Sequence, residues 1–287
     1  MPQPRILAAL FAVILGAGPA LAHSGGAEPL GDGKVSSSPK VGYLMSCPTR
    51  GSGRGAFRDG PWIDGKSWYP GDKIHVEGKI SWPSAHFAVS TVTRNGASWH
   101  EISGNGLPKG AITGTFPISR SDPAYNYDRN PNSVRNHTIN LMLPADPQAA
   151  ASPSCVPMGM IGVALDGVAI FNAVDDSGRD APAHEVQDSC DGHPEHDGQY
   201  HYHGPSPCMP GINGKAELVG YALDGFGIYS LRDASGHLMT DANLDACHGT
   251  TSEVMWNGKK TRIYHYVMTG EYPYTIGCFR GTPVSTR

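Results

Sequence analysis

Hydrophobic and polar residues alternate along much of residues 40–144, which is the pattern of half-buried β-strands. Residues 73–82 place their apolar side chains at alternate positions, so one face of a predicted strand is apolar. Residues 87–102 carry Asn95-Gly96 between two strand-like arms, a strong signal for a β-hairpin. A linker rich in Pro, Ala and Ser follows. We therefore predict an N-terminal β module over residues 40–150.

The second half of the chain repeats its own pattern. Residues 162–172 read GVALDGVAIFN, and residues 220–230 read GYALDGFGIYS. Each Asp-Gly pair lies between short apolar arms, which favours a hairpin with a type I′ turn. We predict a C-terminal module over residues 151–287 that is an internal two-fold repeat, with units at about 160–210 and 218–280. The expected fold is mostly β: a β-rich, two-module protein stabilised by disulfides.

Composition agrees with short strands and many turns. The 287 residues include 37 glycines and 24 prolines, and only 17% are charged. The formal net charge is −4, from 22 basic and 26 acidic residues, and no basic run stands out. Nucleic acid is therefore not an expected partner, and the sequence identifies no protein partner.

The first 22 residues have the pattern of a secretory signal peptide. One Arg precedes an apolar run that ends in Ala20-Leu21-Ala22, a small-residue cleavage pattern. The run is short for a membrane span, and no span is expected elsewhere in the sequence. Residues 23–39 are small and polar and predict a flexible arm. We expect a periplasmic or extracellular protein after cleavage near Ala22.

Six cysteines in an exported chain favour disulfides. Each predicted repeat unit has one cysteine before and one after its Tyr-His-Tyr stretch. This symmetry predicts Cys190–Cys208 and Cys247–Cys278, and it leaves Cys47–Cys155 to join the two modules. Pairing across the units, such as Cys190–Cys247, stays open. No Cys-x-x-Cys pair occurs, so a structural zinc finger is poorly supported.

Several motifs of the C-terminal module occur together in a characteristic order. They are the two Leu-Asp-Gly turns, Cys-Asp-Gly-His at 190–193, Tyr-His-Tyr-His at 200–203 and the closing EYPYTIGCFRG at 271–281. In these motifs the chain resembles the YHYH-domain family of secreted proteins. The resemblance implies architecture and export more than an activity. The second unit departs from the first, because Val267 stands where the first unit has His203.

Histidines are the main candidates for chemistry. Thirteen occur in the chain, and His201 and His203 lie two apart in a predicted strand, so both imidazoles project from one face. If the two units pack about a pseudo-two-fold axis, His265 of the second unit converges on this pair. The candidate metal ligands are His201, His203, His193, His265, His248 and His196. Imidazole suits copper and zinc, and we expect one of these metals.

Carboxylates near these histidines are candidate ligands, or acceptors that fix the histidine tautomers. They are Asp166, Asp191, Glu195, Asp197 and Asp224. Asp166 and Asp224 precede glycines in predicted turns, so we interpret them as turn residues first and ligands second.

Other functions compete with metal binding. Residues 275–280 read TIGCFR and resemble the signature of L,D-transpeptidases, which would make Cys278 a nucleophile for cell-wall acyl transfer, activated by His248 or His265. A disulfide at Cys278 would exclude this role. A third alternative is a metal-free extracellular binding module, in which the tyrosines and histidines only pack and form hydrogen bonds. A separate copper site at His23, the predicted mature N-terminus, is a further candidate.

Overall fold

The computed structural model describes residues 26–48 and 55–286, and the described chain is mostly β, as the sequence predicts. The strands are β1 Glu28–Pro29, β2 Val35–Ser36, β3 Leu44–Met45, β4 Ile63–Asp64, β5 Ser67–Trp68, β6 Ile80–Ser81, β7 Phe87–Arg94, β8 Ala97–Gly104, β9 Ile112–Thr113, β10 Ile139–Pro144, β11 Met160–Ala164, β12 Ala169–Phe171, β13 Gly192–Pro194, β14 Tyr200–Tyr202, β15 Leu218–Ala222, β16 Gly227–Tyr229, β17 Gly249–Trp256 and β18 Lys259–Val267. One short α-helix, α1, spans Ala181–His184, and 3₁₀ turns span Pro70–Asp72, Pro123–Asn126 and Asp241–Asn243.

An eight-stranded sheet organises the second half of the chain. Its strand order is β13-β14-β12-β11-β15-β16-β18-β17. The two central strands, β11 and β15, are antiparallel, with Val163 opposite Tyr221. From this centre each half continues with an antiparallel strand, then a parallel one, then an antiparallel edge strand. The two halves therefore have the same order of strands outward from the centre, while the duplication itself stays a prediction.

The strands near the centre of the sheet are apolar because both of their faces are covered. Ile161, Val163 and Ala164 of β11 are buried, as are Val219 and Ala222 of β15. Such near-continuous apolar runs are typical of strands that are buried on both faces. Because β11 and β15 are buried in the core, they provide a rigid centre to the sheet whose outer strands include β13 and β14.

The Leu-Asp-Gly loops differ from the predicted type I′ turns. In the first loop Gly167 has a φ of +88° and Asp166 does not have a positive φ, whereas type I′ needs positive φ at both central residues. The amide of Gly167 donates to the carbonyl of Ala164, and the Asp166 carboxylate accepts from the amide of Val168. The loop is therefore a three-residue connection with glycine in the left-handed position. The second loop has the same geometry, with Gly225 at +90°.

A three-stranded sheet in the first half has the order β10-β8-β7. The β7–β8 hairpin turns at Asn95 and Gly96, whose φ values of 50° and 78° are those of a type I′ turn, so this prediction is confirmed. The single strand predicted over residues 73–82 is wrong. Only β6 is a strand there, because Gly78 has a φ of +130° and turns the backbone out of the extended conformation.

The first half packs directly against the second. The indole of Trp62 donates to the carbonyl of Ala183 at 2.8 Å, and that of Trp256 donates to the carbonyl of Ala145 at 3.0 Å. Buried apolar residues from both halves belong to one cluster. In the predicted flexible arm, β1 pairs with β5 and β2 pairs with β3. The module boundaries stay predictions.

Three disulfides cross-link the chain, and they join the pairs that the repeat symmetry predicts. They are Cys47–Cys155, Cys190–Cys208 and Cys247–Cys278. Disulfides persist in oxidising compartments, so these bonds are consistent with a location outside the cytosol. Within the described ranges, the helices are too short or too polar to cross a bilayer. The predicted signal peptide lies outside the described residues.

Candidate functional site

Three buried histidines meet at one end of the large sheet. His193 lies on β13 and His201 on the neighbouring strand β14, where the two residues are directly opposite each other. His203 follows β14 immediately. Each is at most 5% exposed, and one ligand atom of each lies within 4.8 Å of the others. We call these three residues the histidine cluster.

The alternation of Tyr and His in β14 separates two environments. On one face the rings of His201 and His203 are 4.8 Å apart between centroids. On the other, the hydroxyls of Tyr200 and Tyr202 donate at 2.8 Å to the buried carboxylates of Asp188 and Asp166. The tyrosines on one face of β14 therefore form structural hydrogen bonds, and the histidines on the other face belong to the cluster.

Main-chain carbonyls fix the tautomers of two histidines. The Nδ1 atom of His201 lies 3.0 Å from the carbonyl oxygen of Gln199, and Nδ1 of His203 lies 2.5 Å from that of Asn172. A carbonyl oxygen only accepts hydrogen bonds, so both Nδ1 atoms carry the proton. In the neutral imidazoles the lone pairs are then on the two Nε2 atoms, which lie 3.0 Å from each other.

Glu185 places a carboxylate beside this pair. The residue follows α1, and its Oε2 atom lies 3.5 Å from Nε2 of His193 and 3.4 Å from Nε2 of His203. This oxygen is buried and accepts no hydrogen bond from the described residues, and neither ring nitrogen of His193 forms a hydrogen bond there. A buried polar group without a partner is costly, so the site contains unused ligand atoms.

Burial keeps the imidazoles of His201 and His193 in the neutral form that binds metals. It lowers the pKa of His201 well below the usual value, and the adjacent His203 lowers it further. Burial likewise lowers the pKa of His193, with added repulsion from His201 and His203. The ring of Phe171 stacks on His201 at 3.9 Å between centroids and covers it. His201 and His193 are therefore neutral at pH 7, with lone pairs free for a cation.

The histidines predicted from the second repeat unit do not join the cluster. His265 lies on β18, five strand positions from β14 in the sheet order, which corresponds to about 24 Å at a strand spacing of about 4.8 Å. Its Nδ1 atom bonds to the carbonyl of Ile263. The predicted convergence at a pseudo-two-fold axis is wrong, because the centre of the sheet is formed by β11 and β15.

His248 and His196 also lie elsewhere. His248 is buried, and its ring nitrogens contact Thr269 at 3.0 Å and Asp241 at 3.3 Å. His196 is 78% exposed at its side chain and belongs to a separate surface group with Glu195 and Asp197. Neither histidine is part of the histidine cluster.

The carboxylates proposed from the sequence have structural partners. Asp166 and Asp224 accept from the hydroxyls of Tyr202 and Tyr266, which agrees with their interpretation as turn residues. Asp191 contacts His75 at 3.4 Å. Sequence reasoning missed Glu185, because a carboxylate eight residues before His193 carries no local signal and is brought in by the fold.

The alternative of a cysteine nucleophile is not supported. Cys278 forms a disulfide with Cys247, and the described part of the chain contains no free cysteine. A sulfur in a disulfide cannot form the thiolate that acyl transfer needs. His23, the other copper candidate, lies outside the described residues.

A comparison with known families matches one segment of the chain. Residues 140–241 match the YHYH protein family. The resemblance inferred from the motifs is confirmed for this segment. The YHYH segment contains Glu185 and the whole histidine cluster, and it ends before His248 and His265. No curated protein and no solved structure matches the chain.

Proposed function

We propose that this chain is an exported metal-binding protein in which the histidine cluster and Glu185 hold one copper or zinc ion. The observation that carries the proposal is the pair of Nε2 atoms, 3.0 Å apart in a buried site, whose Nδ1 protons are already used. Two lone pairs at this distance repel each other unless a positive charge lies between them.

The separation of the two Nε2 atoms is close to that of two imidazole ligands on one metal ion. Zinc binds imidazole nitrogen at about 2.0–2.1 Å, so two such ligands at a tetrahedral angle lie about 3.3 Å apart. The Nε2 atoms of His201 and His203 are within a few tenths of an ångström of this separation. A proton shared by the two rings is the competing explanation, and burial opposes it by lowering the pKa of His201.

The donor set favours a borderline metal. The three imidazoles of the cluster, with the Glu185 carboxylate beside two of them, offer nitrogen and oxygen, which suit copper(II) and zinc(II). Thiolates are excluded because the described cysteines are all in disulfides. The Nδ1 hydrogen bonds to carbonyls are the outer contacts that orient histidine ligands in metal sites. The disulfides and the signal-like leader support placing this site in the periplasm or outside the cell.

Metal analysis of the mature chain, purified without an affinity tag, tests the proposal. We expect about one copper or zinc ion per chain in the unaltered protein, and a near-complete loss in His201→Ala and in His203→Ala. His265→Ala is the matched control, because it removes a histidine from the same Tyr-His-Tyr context without touching the cluster. Equal metal content in all four proteins would overturn the proposal.

A further inference from the structure

A cavity of about 220 Å³ adjoins the histidine cluster, and His203 forms part of its wall. Trp68, Pro182, Pro205 and Tyr274 supply much of the remaining wall, so the lining is largely aromatic and aliphatic. An apolar cavity of about 150 Å³ is already large enough to hold benzene. The space beside the cluster therefore suits a molecule with a single aromatic ring.

The buried polar side chains of this wall already have partners within the protein. The indole N–H of Trp68 has the Tyr274 hydroxyl as an acceptor, and that hydroxyl donates at 2.8 Å to the carboxylate of Asp180. The ammonium of Lys73 donates to Oε1 of Gln187 and to a main-chain carbonyl. A polar group of a ligand would therefore have to compete with existing hydrogen bonds when it leaves water, which is costly.

The charge at the cavity is already compensated as well. Burial lowers the pKa of Lys73 to about 8, and four carboxylates oppose this shift, those of Asp191, Glu185, Asp180 and Asp128. An anionic ligand would be repelled by these carboxylates, and a cationic ligand would compete with Lys73 for them. Either ion would lose its hydration without gaining a free partner, so the cavity favours an uncharged ligand.

We propose that this cavity binds a small, uncharged aromatic molecule, with its ring against Trp68, Tyr274 and the prolines of the wall. Removal of the apolar surface of the ligand and of the wall from water drives the binding. Since His203 lines the same cavity, the ligand lies beside the histidine cluster. This binding does not require the metal, so it holds or fails independently of the proposed function.

Calorimetric titration of the full mature chain with toluene, benzoate and benzylamine tests the inference. The three probes share one aromatic ring and differ in charge, because toluene is neutral, benzoate is an anion and benzylamine is protonated at pH 7. We expect toluene to bind, and both charged probes to bind at least about 10-fold more weakly. Equal or tighter binding of either charged probe, or no binding of toluene, would overturn the inference.

Two further measurements test the position of the ligand. Gly204 lines the cavity, and a Cβ there would lie 3.1 Å from Cβ of Tyr274, so we expect Gly204→Ala to narrow the cavity and weaken toluene binding about 10-fold. Gly281→Ala is the matched control, because a Cβ there also lies 3.1 Å from its nearest neighbour but outside the wall. The ring current of bound toluene should shift the amide NMR signals of Gly204 and Gly270, which both line the cavity, and this shift decides the position even where Gly204→Ala does not fold. Unchanged toluene affinity in folded Gly204→Ala, or shifts confined to other parts of the chain, would show that the cavity is not the site.

Discussion

At the scale of single residues, histidines of this chain differ in what their ring nitrogens contact. In His248 the Nε2 atom is hydrogen-bonded to Thr269 Oγ1, and Nδ1 lies 3.3 Å from Asp241 Oδ1. In the histidine cluster, the Nδ1 atoms of His201 and His203 are used and the Nε2 atoms face one another, while His193 makes no hydrogen bond within the described residues and has Glu185 Oε2 at 3.5 Å. The contacts of the ring nitrogens, and not the number of histidines nearby, therefore distinguish the candidate metal site from the other histidines.

Glu185 provides a test that leaves the histidines intact. In Glu185→Gln the side chain keeps its shape but loses its charge, so we expect metal affinity to fall about 10- to 100-fold. Competition with a chelator of known affinity measures the change. Glu195→Gln is the control, because Glu195 belongs to a separate group with His196 and Asp197. If both variants bound the metal as tightly as the unaltered chain, Glu185 would have no role at the site.

The carboxylate of Asp166 gives a prediction on pH and stability. Burial raises its pKa to about 6, from an ordinary value of 3.8. Because the folded pKa lies above the unfolded one, this group favours the folded state most at low pH, and its contribution declines as the pH rises from about 4 to about 6. The hydroxyl of Tyr202 opposes this shift by donating to the ionised carboxylate.

Removing that hydroxyl should therefore matter more at high pH than at low pH. We expect Tyr202→Phe to lower the free energy of unfolding by about 1.5–3 kcal/mol at pH 8, where the carboxylate is charged, and by less at pH 4.5. Urea unfolding at the two pH values measures this difference. Tyr266→Phe, which affects Asp224 in the second loop, should show the same direction of pH dependence, with an added loss at every pH because the Arg280 amide donates to the same hydroxyl. A loss that is independent of pH would show that Asp166 is not ionised in the folded protein.

At the scale of elements, the second Leu-Asp-Gly loop packs closely against a neighbouring strand, which its sequence did not indicate. Gly225 has a φ of +90°, and a Cβ there would lie 2.7 Å from the carbonyl oxygen of Pro144. Gly258 has a φ of +75° with open space around it. We expect Gly225→Ala to destabilise the protein by about 2–5 kcal/mol, from backbone strain and overpacking together. Gly258→Ala should lose only about 1–2 kcal/mol from strain.

Thermal or urea unfolding of both glycine variants separates the two contributions. The difference between them reports the packing of the second Leu-Asp-Gly loop against β10, because the strain is common to both. Equal losses would mean that Pro144 moves away without cost and that the loop does not fix the position of β10.

The elements that the sequence predicts well are those with local signals. The β7–β8 hairpin follows from Asn95-Gly96, and the separation of histidines from tyrosines follows from the two-residue period of β14. The partners of a strand in the large sheet are set by contacts distant in sequence. Similar motifs in the two units therefore suggested that His265 joins the cluster, whereas the pairing of β11 with β15 places it at the other end of the sheet. The fold places Glu185, at the end of α1, beside His193 and His203, and no sequence period encodes this position.

At the scale of the whole molecule, two of the disulfides have different roles: one links the two halves of the chain, and the other closes the segment of the histidine cluster. Cys47–Cys155 joins residues 108 apart and connects the first half to the second. Cys190–Cys208 joins residues only 18 apart and encloses the segment that carries the histidine cluster. In the chain-entropy description, a loop of about 100 residues stabilises the folded state by about 4.7 kcal/mol and a loop of about 15 residues by about 3 kcal/mol. Stability and metal binding should therefore depend on different bonds.

Replacing each cysteine pair by serine tests this division. We expect Cys47→Ser with Cys155→Ser to lose more of the free energy of unfolding, by about 4–5 kcal/mol, and to keep metal affinity within about 3-fold where it still folds. Cys190→Ser with Cys208→Ser should lose less stability, about 3 kcal/mol, but bind metal at least about 10-fold more weakly, because the segment that holds His193 and His203 is no longer tied at both ends. Urea unfolding and chelator competition on the same samples give both numbers. If the two variants lost metal affinity equally, the cluster would depend on the fold as a whole and not on its own cross-link.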